Sequence, residues 1–296
     1  MSYRNLRDSL TGLKNGTEAD PFRFLADLAA FTSLAEEDDK LQEARDVLVR
    51  VLDDAERFRG YEAIIQTLIR NVGLFPYLDF SNADAADQLA GEVHRPEAMP
   101  AKIVFTTKQA EVYRELMAGR SVVLSAPTSF GKSLIIDAVI ASRRHRNIVV
   151  VVPTLALVDE TRRRLLRFRD HYKVITHLSQ EPAERNIFVH TQERVVENSH
   201  IKDVDFFVID EFYHLQIEES ADGDERAVLL NHAFYRLAKR AKQFYMLGPN
   251  IHELPDGFGP NYRCVGGLKS EAQHPPRKVC TWIRRRSTAS FSPRTG

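Results

Sequence analysis

The chain has 296 residues, 43% hydrophobic and 28% charged, a globular balance that suits one large or two modest domains and excludes a disordered, collagen-like or rod-like protein. Its 41 basic and 41 acidic residues cancel overall but not locally: residues 1–100 carry −8, residues 101–260 carry +1 and residues 261–296 carry +7. The longest aliphatic run, Ile148 to Val152, is far below the roughly 20 residues that span a bilayer, the first ten residues lack an export-type apolar core, and two cysteines, Cys264 and Cys280, cannot build a disulfide framework, so the expectation is a cytoplasmic protein with no membrane partner.

Residues 1–80 read as an acidic, all-helical region. Asp20-Pro21 is an N-cap and first-turn pair, and Phe22, Leu25, Leu28 and Ala29 follow at helical spacing. Leu41, Ala44, Val47, Leu48, Val51, Leu52 and Ala55 form one stripe ending near Gly60; Ile64, Ile65, Leu68 and Ile69 mark another helix that stops at Asn71 to Gly73. Such a surface suits either a protein partner or plain solvation. Tyr61, Phe75 and Tyr77 fall among its aliphatic positions and read as packing. Residues 81–100 have weak periodicity and read as a linker.

From residue 101 to 260 short aliphatic runs alternate with helix-length segments: Val122 to Ser125, Ile148 to Val152, Lys173 to Thr176, Ile187 to His190, Phe206 to Ile209 and Phe244 to Leu247. This is the pattern of an α/β domain with a mostly parallel sheet covered on both faces. After Pro260 the pattern is lost, and residues 261–296 read as an irregular basic tail.

Two elements carry chemistry. Ala126-Pro127-Thr128-Ser129-Phe130-Gly131-Lys132-Ser133 joins a strand to the helical run LIIDAVIAS, the setting of a phosphate-binding loop. Backbone N–H groups at Thr128, Ser129 and Gly131 would surround a phosphate, Lys132 would reach its outer oxygens, and the Ser133 hydroxyl would ligate Mg²⁺. Asp210-Glu211 ends a strand 78 residues after Lys132; carboxylates at that edge face the ligand crevice of an open α/β sheet, Asp210 to hold Mg²⁺ and Glu211 to activate water. Arg162, Arg163, Arg164, Arg167 and Arg169 form either a phosphate track or a solvated basic face. His171, His177, His190 and His200 lack metal-site spacing, and neither cysteine sits at a basic helix start.

Over residues 103–254 these motifs resemble superfamily 2 helicases of the DExH type. The resemblance implies a RecA-like domain and an ATP-hydrolysing nucleic-acid motor. In it Phe105 and Gln109 look like the adenine-reading Q motif, APTSFGKS like motif I, VPTLALVDE and VHTQER like motifs Ia and Ib, and DEFY like motif II. The implied roles are catalysis for Lys132, Asp210 and Glu211, and contact with the nucleic-acid backbone for Pro153, Thr154, Thr191 and Arg194. PTSFGKS, DEFY and LGPN together are similar to helicase subunits of bacterial anti-phage systems, especially the Hachiman type. Tyr213 stands where the family has a His or Asp, with His214 one place late, and Leu247-Gly248-Pro249-Asn250 replaces the usual motif III. The family's motors use a second RecA-like domain with arginine fingers, and none is legible after residue 260. The expectation is therefore a C-terminally truncated half-motor or a non-catalytic, ATP-responsive adaptor as alternatives to a working motor.

Overall fold

The computed structural model describes residues 2–17, 20–34, 38–81, 83–126, 130–215, 225–248, 262–265 and 280–284. They fall into two compact units, one ending at Glu111 and the other starting at Val112.

The first unit is helical. α1, Tyr3–Asn15, starts at Ser2, whose hydroxyl accepts the Asn5 N–H, and buries Leu6, Leu10 and Leu13 on one face before Gly16 ends it at φ 74°. It lies ahead of the first expected helix, its stripe reduced to three leucines among polar residues. α2, Pro21–Ser33, follows the expected cap, with the Asp20 carboxylate accepting from Phe22 and Arg23. α3, Asp38–Leu52, and α4, Glu62–Asn71, match the two further stripes. Leu25, Leu28, Leu48, Phe58, Leu68 and Ile69 meet in the core, and Phe75 packs there too, its ring centroid 4.0 Å from that of His94. Tyr77, by contrast, is 49% exposed rather than packed.

The stretch expected to be a linker holds α5, Ala85–His94, capped by Asp84 through the Asp87 N–H. Arg70 Nε, on α4, lies 2.8 Å from the Asp87 carboxylate, a pairing that fixes the helix although its apolar periodicity is weak. The boundary expected near residue 100 falls instead inside α6, Thr107–Met117.

In the second unit six strands run parallel in the order β3-β4-β2-β5-β6-β1. They are β1, Val122–Ser125; β2, Asn147–Val151; β3, Lys173–Ile175; β4, Asn186–His190; β5, Val204–Asp210; and β6, Ala241–Gly248. Five of the expected runs are strands whose side chains are largely buried on both sheet faces, while the edge strand β3 buries only Ile175 fully. Phe207, Ile209, Phe244 and Met246 pack with Leu230 and Leu237 of α10, Glu225–Ala238, while alternate residues face the opposite side. At the N-terminal edge Asp205 pins three strands: it accepts from the N–H groups of Arg146 and Asn147 and from Lys242. Burial raises its pKa, but those partners prevail and hold it down to about 2.

The tail corrects the expectation of an irregular end. β7, Tyr262–Val265, and β8, Cys280–Arg284, form an antiparallel pair, and β8 continues the sheet antiparallel to β1. Each holds a single aliphatic residue, Val265 or Ile283, among aromatic, cysteine, threonine and arginine positions, and so lacks the aliphatic run that marks the central strands. Among the described residues no helix is long and apolar enough to cross a membrane.

Gly73 ends α4 at φ 71°, and a Cβ there would lie 2.1 Å from Thr107 Oγ1. Gly73→Ala should therefore cost about 2 kcal/mol in a denaturant titration, combining left-handed strain with the collision.

Burial lowers the pKa of His145, stacked 5.0 Å from the Phe206 ring, to about 4 from 6.5. The unfolded chain then binds more protons between those values, so stability falls as pH drops from 6.5 toward 4. His145→Phe should flatten that part of the pH–melting curve.

Candidate nucleotide and nucleic-acid site

Strand register brings the chemistry to one edge. Ser125 of β1 pairs with Gly248 of β6, Asp210 of β5 with Leu247, and Val151 of β2 with both Ile209 and His190, so the C-terminal ends of β4, β2, β5, β6 and β1 align. Gly131 holds φ 77°, a left-handed conformation suited to glycine, and starts α7, Lys132–Ala141. Thr128, Ser129, Pro249 and Asn250 lie outside the described residues.

The Lys132 ammonium donates to Ala126 O at 3.0 Å and Gly248 O at 2.9 Å, and the Ala126 N–H donates to Gly248 O at 3.1 Å. Burial lowers the Lys132 pKa, opposed by the negative charges of Asp210 and Glu211. Burial raises the Asp210 pKa, opposed by Lys132. Lysine and carboxylate thus face each other across the crevice, each supporting the other's charged form. Ser133, one residue along α7, is exposed.

Glu211 adopts φ 58°, a costly backbone for a residue with a Cβ. Its N–H donates to Asp210 Oδ1 at 3.0 Å. The Tyr213 hydroxyl lies within electrostatic reach of the Glu211 carboxylate, and His214 Nε2 lies 3.7 Å from Glu211 Oε2. Burial, then the Glu211 charge, raises the Tyr213 pKa, keeping it a donor. The two residues that depart from the helicase pattern therefore surround Glu211. A cavity of about 220 Å³ beside them is lined by Val152, Pro153, Gln192, Asp210, Glu211 and His214.

The other expected contacts are placed differently. The Thr154 hydroxyl accepts the Leu157 N–H and caps α8, Leu155–Leu165, leaving that helix start exposed. Thr191 is only 5% exposed at the start of α9, Gln192–Glu197. Arg194 donates to Thr176 O at 3.0 Å and lines a separate cleft of about 660 Å³ with Leu155, Val158, Arg162 and His177. Phe105 is 1% exposed, so its ring is packed inside rather than open to a base. Gln109 and Thr106 form a reciprocal cap at α6: Gln109 Oε1 accepts the Thr106 N–H at 2.9 Å and Thr106 Oγ1 accepts the Gln109 N–H at 3.3 Å. Helix capping alone thus accounts for that oxygen.

The arginines at 162–169 form a largely exposed basic face, but four of them are ion-paired. Arg162 and Arg163 pair with Asp159, and Arg164 and Arg167 pair with Asp137 of α7. Asp137 and Tyr245 were not singled out in the sequence; each is a polar residue inside an aliphatic run, which was the available signal. Tyr245 is wholly buried on β6, its hydroxyl without a partner among the described residues, and burial and then Asp210 push its pKa up.

Residues 106–243 match the family described as DEAD/DEAH box helicase, and residues 1–88 match the anti-bacteriophage protein B N-terminal domain. Anti-bacteriophage protein B of Escherichia coli (strain K12) is 42% identical over 219 residues, which is 71% of this chain and 30% of that relative's length. Among solved structures, the C-terminal domain of a possible DNA helicase from Lactobacillus plantarum WCFS1 aligns at 16% identity and a TM-score of 0.30, over 51% of this chain and 89% of that one, a likeness too remote to argue from.

An ionised Asp210 held in a partly desolvated site costs stability, and the raised pKa means the cost appears as pH rises through the carboxylate range. Without nucleotide or divalent metal, Asp210→Asn should melt higher than the parent at pH 7, and the gap should close on acidification.

Proposed function

We propose that the DEAD/DEAH helicase-like domain at residues 106–243 binds and hydrolyses ATP and couples this to a grip on nucleic-acid backbone, in a protein acting in anti-phage defence. Nucleotide and nucleic-acid binding are what a helicase domain implies. The observation that carries the finer reading is that the Lys132 ammonium, bonded to Gly248 O, sits at the strand ends next to Leu247, the register partner of Asp210, within electrostatic reach of Asp210 and Glu211.

In this reading Lys132 exchanges its two carbonyl partners for phosphate oxygens, and the start of α7 supplies N–H donors and a favourable helix dipole. The donor set for a metal is all oxygen, Ser133 hydroxyl and Asp210 carboxylate, and among the described residues no group of three or more His, Cys, Asp or Glu competes. Hydroxyl, carboxylate and phosphate oxygens suit Mg²⁺, which when bound would neutralise phosphate charge. Glu211 orients water for attack on the γ-phosphate; the strained backbone at Glu211 fixes the carboxylate, and Tyr213 and His214 lie alongside. Pro153 and Thr154 present the exposed α8 N-terminus to a backbone phosphate, a contact that reads no sequence.

Two variants test this. Lys132→Ala should abolish binding of a fluorescent ATP analogue. Glu211→Gln should keep binding but slow phosphate release by roughly 10²- to 10⁴-fold. Nucleic-acid-stimulated release that persists in either variant overturns the proposal.

A further inference from the structure

We propose that Asp137 and Arg164 form a strut through which the phosphate-loop helix and the α8 element at Pro153–Thr154 sense each other's ligands. This rests on the nucleotide and nucleic-acid binding proposed above.

α7 is apolar and buried beyond its first turn except at Asp137, which is 3% exposed. Burying a carboxylate there is costly unless it is paired. Both pairing groups come from another helix segment. Arg164 Nη1 donates to Asp137 Oδ1 at 2.6 Å, and Arg167 pairs with Oδ2. The same Arg164 nitrogen donates to Ser133 O at 3.0 Å. Ser133 and Asp137 are one helical turn apart, so a single guanidinium ties the first turn of α7, which carries Lys132 and Ser133, to the turn that follows it.

The opposite end of α8 is Thr154, beside Pro153 of the cavity that Asp210 and Glu211 line. An 11-residue helix of about 16 Å is rigid on this scale. A shift of the α7 first turn on phosphate binding is therefore passed along α8 to its exposed N-terminus, and the reverse holds equally, as linkage requires. Arg164 also lies close enough to Asp210 for its charge to favour the ionised carboxylate, so the strut reaches the catalytic edge electrostatically. Packing does not demand the arrangement, because a buried ion pair is commonly no more stable than an apolar replacement of similar volume.

The test uses the full chain and measures affinity for a fluorescent ATP analogue with and without a dT20 or U20 oligonucleotide. The readout is the ratio of the two dissociation constants, which an overall loss of stability does not select. In the parent the oligonucleotide should tighten nucleotide binding at least about fivefold. Arg164→Gln and Asp137→Asn should each bring the ratio to near one, and the double variant should add nothing further. Arg164→Lys, which keeps the charge on a shorter side chain, should recover only part. A parental ratio in Arg164→Gln overturns the strut, as does a ratio lost only together with both affinities and a lowered melting temperature. If the parent binds both ligands with no coupling, the strut fails and the proposed function stands. If the parent binds neither, both fail.

Discussion

The Lys132 ammonium, shared between the carbonyls of Ala126 and Gly248, is the interaction on which the site depends. It ties the end of β1 to the end of β6, and the Ala126 N–H closes the same junction. The lysine is partly desolvated, which makes its charge expensive, and the carboxylates of Asp210 and Glu211 are what keep it charged. Asp210 in turn owes part of its ionisation to Lys132. Neither group is well placed alone, so the strands that bring them together are constrained in register at every pairing between them.

The same edge holds two local features that work against stability. Glu211 sits in left-handed backbone without being glycine, and the Tyr245 hydroxyl is buried without a partner among the described residues. Strain and an unmet polar group are tolerated where the surrounding structure over-determines them, here by the fully buried β1 and the largely buried β5. Phe212, fully buried directly after Glu211, is part of that restraint, and a Cβ on Gly248 would meet its ring at 2.9 Å. The glycine at the end of β6 thus both accepts from Lys132 and makes room for the turn that holds Glu211.

Most of the second unit was legible in the sequence because its signal is local. Strands buried on both faces must be aliphatic throughout, and each of the six central runs lies within an observed strand or overruns its end by one residue. The Lys132, Asp210 and Glu211 triad was legible because strand ends face one crevice whatever the intervening loops. What escaped has a tertiary cause. α5 is fixed by Arg70 meeting Asp87, and β8 by pairing alongside β1, neither of which leaves a periodic mark. Gln109 illustrates the converse: Thr106 to Gln109 fits a helicase motif and a capping box equally well, since both need a Gln three residues into a helix. The structure shows the cap.

The arginines after motif Ia show why counting charge misleads. Five basic residues within eight positions look like a phosphate-binding surface, yet the four at 162, 163, 164 and 167 are held by two aspartates, one on their own helix and one on α7. Asp159 draws two arginines along the helix surface, where such pairs contribute little. Asp137 is itself buried and holds the other two, with Arg164 largely covered and Arg167 still about half exposed. The division follows burial: Asp159 is 43% exposed in its side chain and Asp137 is 4% exposed. One aspartate in an aliphatic helix therefore ties two of the five arginines into a fixed connection between α7 and the chain from α8 onward.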